Sequence, residues 1–315
     1  GVANAIAAAL PHADRYPDPL CRALRAKLAP HEGIPAESIL CGNGAADLIF
    51  RLAWAAKPRT ALVTAPTFAE YAAALESAGC AVRRHFLQAE VDFAVTDSIL
   101  SSITPEVDMV FLCQPNNPTG QLTPLPLVER ILRRCEACGA LLVVDECFLD
   151  FLPDCDALTA KALLDSKNLL ILKAFTKLYG MAGVRLGYCL CANTALLEAM
   201  QAAGQPWAVS SLAQAAGLAA LDETAYVAQV RALIAQQRPR LTAGLRALGL
   251  RVLDGRANYL LFQGPETLGD ALRQWGVVLR SCSNYPGLDG SWYRTAVRTG
   301  PENDELLKTL AEVLA

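Results

Sequence analysis

The strongest constraint on this chain is a series of short, mostly apolar runs separated by amphipathic stretches. The runs are Ala61–Ala65, Ala81–Leu87, Met109–Cys113, Leu141–Val144, Asn168–Phe175 and Arg185–Cys191, with segments such as Phe68–Ala78 and Pro124–Cys138 between them. A strand that reads as a continuous apolar run is buried on both faces. Strands alternating with helices therefore indicate a parallel sheet covered on both sides, an α/β protein. After Trp207 the texture changes. Alanine-rich helical stretches, Ser210–Leu221 and Ala225–Leu248, lead to shorter strand candidates at Arg251–Leu253, Asn258–Phe262 and Trp292–Val297. The expected division is a large domain over residues 20–207 and a smaller α+β domain built from residues 1–19 and 208–315.

Composition removes several function classes. Hydrophobic residues make up 53% of the 315, yet apolar runs such as Leu141–Val144 and Leu169–Leu172 are far short of the roughly 20 residues a spanning helix needs. Much of the excess is alanine. Net charge is −3 with scattered basic residues, so no stripe is available to follow a nucleic-acid backbone. No secretory signal is visible, and the eleven cysteines, odd in number and mostly in apolar contexts, read as reduced small hydrophobes. The three histidines lack metal-ligand spacing. A cytoplasmic protein with no metal, no membrane segment and no nucleic-acid partner is the expectation.

Several segments carry residues suited to chemistry. Cys41-Gly-Asn-Gly-Ala-Ala-Asp47 leads into a helix, where Gly44 and the backbone N–H groups of Ala45 and Ala46 offer either an anion site or an ordinary cap. Phe68 follows a strand end, the edge where ligands collect in such sheets. Gln114-Pro-Asn-Asn-Pro-Thr-Gly120 fixes its backbone with two prolines and leaves the Asn116 and Asn117 amides free for a ligand. Asp145 ends a buried run, where a carboxylate is costly unless paired with a cationic ring nitrogen or an arginine. Lys177 follows the next run, suited to a Schiff base in a cleft or to a solvated pair with Arg185. Arg280, Arg294 and Arg298 lie near the C-terminus, and an arginine within Tyr293-Arg-Thr-Ala-Val297 suits a carboxylate or phosphate clamp.

Taken in order, PNNPTG, VVDE, TK and GVRLGY resemble the fold-type I aminotransferase superfamily across nearly the whole chain. The resemblance implies an aspartate-aminotransferase-like fold, with a mostly parallel seven-stranded sheet in the large domain and a smaller α+β domain. It also implies pyridoxal 5′-phosphate as cofactor. Lys177 would hold that cofactor covalently and move protons at the substrate Cα, and Asp145 would pair with the ring nitrogen. Asn117 would bond the ring hydroxyl and approach substrate, and Phe68 would stack on the ring. Gly44, Ala45, Ala46, Thr176 and Arg185 would hold the phosphate. Tyr16, in Arg15-Tyr-Pro-Asp-Pro19, would reach the neighbouring subunit's phosphate in a homodimer with shared active sites.

Within the superfamily the chain resembles the histidinol-phosphate aminotransferase and threonine-phosphate decarboxylase branches. CGNGAADLI, Thr176-Lys-Leu-Tyr179 and the stretch RSCSNYPGLDG to YRTAVRTGPEND favour the decarboxylase form, with Arg280 and Arg294 as paired substrate arginines. The implied reaction is decarboxylation of L-threonine O-3-phosphate to aminopropanol phosphate, a step of cobalamin biosynthesis. The alternative is transamination of histidinol phosphate or another amino acid. Phe148 stands where many aminotransferases carry a tyrosine that bonds the ring hydroxyl, and Ala174 stands where a hydroxyl often helps hold the phosphate.

Overall fold

The structure, a computed structural model, describes residues 1–315. Seven strands form one sheet: β1 (Ile39–Gly42), β2 (Thr60–Ala65), β3 (Ala81–Phe86), β4 (Met109–Cys113), β5 (Leu141–Asp145), β6 (Leu169–Ala174) and β7 (Gly187–Cys191). Their order is β1-β7-β6-β5-β4-β2-β3, and only β7 runs against the rest. The alternation predicted by pleating is visible in the cores. Val110, Leu112, Leu142 and Val144 face one side of the sheet, whereas Phe111, Cys113 and Val143 face the other. The first side is covered by the helices Arg22–Glu32, Leu125–Cys138 and Ser211–Ala220; the second by Ala45–Ala56 and Glu70–Ser77. Leu48 and Leu52 of Ala45–Ala56 are fully buried, each contributing about 1.5–3 kcal/mol by leaving water.

Two features differ from the sequence-based expectation. β1 went unforeseen: Ile39-Leu-Cys-Gly42 is too short to show a period and takes its strand form from antiparallel pairing with β7. The expected division of the chain also differs from the packing. Ala213, Ala216 and Ala220 are buried in the core of the seven-stranded sheet, and the helix Val2–Ala9 lies along that same helix. Both segments thus pack with the larger sheet, because small alanine faces let helices approach closely.

The second sheet has the order β10-β11-β9-β8, built from β8 (Arg251–Val252), β9 (Tyr259–Gln263), β10 (Arg280–Ser281) and β11 (Trp292–Ala296), all antiparallel. Its core of Leu241, Leu245, Leu260, Phe262 and Leu310 is separate from the other two. The carboxyl ends of β4, β5 and β6 point toward this smaller unit. Ligands gather at that edge in such sheets.

Candidate active site

The anion pocket begins at the helix Ala45–Ala56. Its first N–H groups have no acceptor within the helix and sit at the positive end of its dipole. The turn before it is held by Asp47, whose carboxylate accepts from the Asn43 N–H at 2.9 Å and from Arg51 Nε at 3.0 Å. Gly44 adopts φ +83°, and a Cβ there would stand 2.7 Å from Arg185 Nη2. A Cβ on Gly187 would stand 2.6 Å from the Ala45 nitrogen. The two glycines thus let the helix start, β7 and the Arg185 guanidinium converge. Arg185 itself has φ +59°, with Nη1 donating to the Ala182 carbonyl at 3.2 Å.

Asp145 ends β5. Its Oδ2 accepts a hydrogen bond from the Tyr71 hydroxyl at 2.5 Å, and its Oδ1 accepts from the Cys147 N–H at 3.0 Å. No arginine or lysine pairs with it in the chain. Tyr71 is fully buried, stacked on Phe111 at 4.8 Å, with Phe68 edge-on at 5.5 Å. Burial, reinforced by the Asp145 charge, holds the Tyr71 phenol well above its ordinary pKa. Burial likewise pushes the neighbouring Cys113 thiol up to about 12.

Lys177 lies just beyond β6, exposed, with Nζ 5.3 Å from the centre of the Phe148 ring and no ion-pair partner. It opens into a cavity of about 140 Å³ that is also lined by Ala45, Ala46, Phe68, Asn117, Asp145, Thr176 and Arg185. A second cavity of about 300 Å³ shares Lys177 and Phe148 with the first. Its wall carries Arg280, Arg294 and Arg298 together with Asn258 and Tyr259, and no carboxylate. Arg280 and Arg294 face each other across β10 and β11. The Arg294 guanidinium donates to Asn117 Oδ1 and lies 5.1 Å from the Tyr259 ring centre. Arg280 donates to Asn284 at 3.1 Å and lies 5.9 Å from the Tyr285 ring centre.

Some sequence-based expectations need correction. Asn116 is not free for a ligand: its amide donates to the Pro66 carbonyl at 2.9 Å and to Thr119, and its Oδ1 accepts from Thr67 at 2.8 Å. These bonds hold it inward, and of the two asparagines Asn117 lines the cavity. Tyr16 is not among these corrections: it was expected to act on a neighbouring subunit, and in its own chain it is 82% exposed, with its ring 4.7 Å from that of Trp207 and outside the cavity that holds Lys177. Asp145 lines the Lys177 cavity, and the hydroxyl that reaches it there is the Tyr71 phenol. Tyr71 was missed: it lies in the first turn of the helix Glu70–Ser77, three residues after Phe68, and no motif marks it. Tyr259, whose hydroxyl bonds the Asn116 carbonyl at 2.8 Å, carried no motif.

The donor set of the first cavity suits pyridoxal phosphate: an anion pocket at one end, a buried carboxylate at the other, an amine between them and an aromatic ring at the wall. The close approach at Gly44 and Gly187 leaves a cradle that any larger residue would fill. Fold and site together define a pyridoxal-phosphate-dependent enzyme of the aspartate aminotransferase type.

Comparison with known proteins gives the family. Residues 2–311 match the family described as aminotransferase class I and II, and the chain belongs to it. It is similar to a threonine-phosphate decarboxylase from Salmonella typhimurium, 39% identical over 305 residues, covering 96% of this chain and 84% of that protein. It is also similar to a histidinol-phosphate aminotransferase from Desulfitobacterium hafniense, 35% identical over 316 residues with the same coverage. Among solved structures, the histidinol-phosphate aminotransferase from Clostridium acetobutylicum superposes with a TM-score of 0.91 at 26% identity, covering 100% of this chain and 96% of that one. The L-threonine-O-3-phosphate decarboxylase from Porphyromonas gingivalis gives 0.86 at 25% identity, covering 99% and 94%. A further neighbour, the Sinorhizobium meliloti histidinol-phosphate aminotransferase, was solved with pyridoxal 5′-phosphate, at a TM-score of 0.85 and 25% identity, covering 99% and 86%.

Proposed function

We propose that this chain decarboxylates a phosphorylated amino acid of the L-threonine O-3-phosphate kind, releasing CO2 and aminopropanol phosphate, the step expected in cobalamin biosynthesis. The observation that carries this reading is the cavity beside Lys177, with three guanidinium groups and no carboxylate in its wall. A substrate bearing both a carboxylate and a phosphate needs separated anion clamps, and guanidinium binds each through paired N–H bonds. The 39% identity to a threonine-phosphate decarboxylase supports the same choice.

In this reading Lys177 holds the cofactor through its amine and later moves a proton at the substrate Cα. Gly44, Ala45, Ala46, Thr176 and Arg185 hold the cofactor phosphate, Phe68 covers the ring, Asn117 bonds its hydroxyl, and Asp145 faces its nitrogen. When bound, pyridoxal phosphate supplies an electron sink for the pair left at Cα when a bond breaks. Arg294 and Arg280 orient the substrate, and that orientation selects which Cα bond is poised to break. Phe148 brings an apolar ring to the junction of the two cavities and no hydroxyl. Release of CO2 from threonine phosphate, measured against transfer of the histidinol phosphate amino group to an acceptor keto acid, tests the assignment. Transamination of histidinol phosphate without any CO2 release would replace it with the aminotransferase reading, which the 35% identical relative supports.

The active unit is proposed to be a homodimer. Tyr16 and Trp207 form an exposed aromatic pair beside a surface hollow of about 580 Å³ and serve no site in their own chain. A fully active monomer in sedimentation would remove this part of the proposal.

A further inference from the structure

Asp145 is a buried carboxylate with no cation of its own chain beside it. Burial disfavours the charged form of such a group, and hydrogen bonds donated to it favour that form. Asp145 has two such donors, the Cys147 N–H on Oδ1 and the Tyr71 hydroxyl on Oδ2. The Cys147 bond is made by the chain turning directly after β5. The Tyr71 bond comes from a different element, the helix Glu70–Ser77, and is the hydroxyl bond that Asp145 receives.

The surroundings leave this hydroxyl little freedom. Stacking on Phe111, with planes 19° apart, and edge contact with Phe68 fix the ring. The phenol stays protonated, because burial and then the Asp145 charge hold its pKa far above the ordinary value. It can therefore act as a donor at any working pH. The adjacent thiols of Cys113 and Cys147 are also held neutral by burial, so no rival anion competes for the bond.

We propose that Tyr71 is a positioning residue for the reaction: its hydroxyl fixes the Asp145 carboxylate in rotation, so that one oxygen stays aimed at the cofactor's ring nitrogen and the proton there keeps its acceptor. Remove the hydroxyl, and the carboxylate is free to turn away. The ring nitrogen then holds its proton less firmly, and the ring loses electron-withdrawing power. Tyr71 touches neither substrate nor cofactor in this scheme. The inference rests on the reading that Asp145 faces the ring nitrogen.

The test uses the holoenzyme loaded with cofactor labelled with 15N at the ring nitrogen, whose chemical shift reports where the proton sits. Tyr71→Phe keeps the stacked ring and deletes only the donor. Its nitrogen signal should move toward the unprotonated value. Its kcat should fall roughly ten- to hundredfold, the scale for loss of a hydrogen bond to a charged group, with KM changed by less than about twofold. Tyr71→His, which restores a donor, should recover part of both signals. A wild-type shift and kcat in Tyr71→Phe would overturn the inference. So would equal impairment in the His and Phe variants, since packing alone would then explain the loss. If Tyr71→Phe does not fold, the histidine variant decides: a protonated nitrogen supports the inference and an unprotonated one overturns it. Asp145→Asn serves as the separate check on the underlying reading. That variant should lose the protonated signal outright, and retention of it would remove the role of Asp145 and the inference with it.

Discussion

Two lysines four residues apart on the same segment have opposite surroundings. Lys173, in β6, is buried, with Nζ 2.9 Å from Asp150 and 3.4 Å from Glu32. Glu32 in turn accepts from Lys161 at 2.8 Å and from the Tyr188 hydroxyl at 2.5 Å. Burial would depress the Lys173 pKa, but Asp150, Glu32 and Glu146 together hold it well above the ordinary lysine value. Lys177 has only an aromatic ring beside it and an open cavity in front. A cavity of about 330 Å³ surrounds the Lys173 cluster, larger than the one at Lys177, yet its charged groups are largely engaged with one another. Cavity size is therefore a poor guide here. The chemistry lies where an amine has been left without a partner.

The sharpest break of this comparison is to remove each amine in turn. Lys177→Ala should lower kcat by about 10⁴-fold or more, the scale for loss of a covalent catalyst, and remove the cofactor's lysine-dependent absorbance, while the thermal midpoint stays near wild type. A borohydride-trapped adduct on another lysine in that variant would move the role elsewhere. Lys173→Met should do the reverse. It leaves Asp150 without its ion-pair partner and Glu32 with Lys161 and Tyr188 alone, and breaking a buried pair costs about 3–5 kcal/mol of stability, readable as a lower denaturant midpoint. Should Lys173→Met unfold at the wild-type denaturant concentration, the cluster is not structural in the sense argued here.

The same contrast explains what the sequence disclosed. Lys177, Asp145, Asn117 and the turn at Gly44 sit in short segments at strand ends, where neighbours along the chain set the backbone. Such residues announce themselves locally. Tyr71 and the Glu32–Lys173 pair do not: Lys173 meets Glu32 across 141 positions and Tyr71 meets Asp145 across 74. A contact of that kind exists only after the sheet forms. Asn116 misled for a related reason, since the prolines around it signal a rigid turn but not which way an amide points. Arg280 and Arg294 were legible as residues, while their register across β10 and β11 was not, because a two-residue strand has no period to read.

The substrate cavity offers a smaller test. Arg294→Ala should lower kcat/KM for every amino-acid substrate by roughly thirtyfold or more, as it leaves a substrate anion unpaired. Arg280→Ala should act most strongly on phosphorylated substrates. Steady-state kinetics with threonine phosphate and free threonine separates the two, and equal losses in both variants on both substrates would remove the division of labour.

The smallest expected effect is the pH dependence of stability, where two glutamates of the Lys173 cluster work in opposite directions. For Glu32, burial alone would raise the pKa, but Lys173 and the hydrogen bonds from Lys161 and Tyr188 overcome it and hold the group at about 2, against an ordinary 4.5. The folded state therefore binds fewer protons than the unfolded state between these values. The stabilisation from Glu32 is fully present above pH 4.5 and is lost as pH falls toward 2. Glu146 has the opposite sign. Burial raises it to about 7 despite the opposing Lys173 charge and the bonds from Thr159 and the Ala160 N–H. The folded state retains a proton that the unfolded chain releases between 4.5 and 7, so this contribution is present below pH 4.5 and is lost as pH rises through 7. These two groups together should give greatest stability near pH 4.5 and a decline toward pH 7.5. Glu146→Gln keeps the shape and cannot ionise, so denaturant titrations should show that decline flattened in the variant. An unchanged slope between pH 5 and 7.5 would mean that Glu146 ionises as easily in the fold as in the unfolded chain, and that its hydrogen bonds, with the Lys173 charge, fully offset its burial.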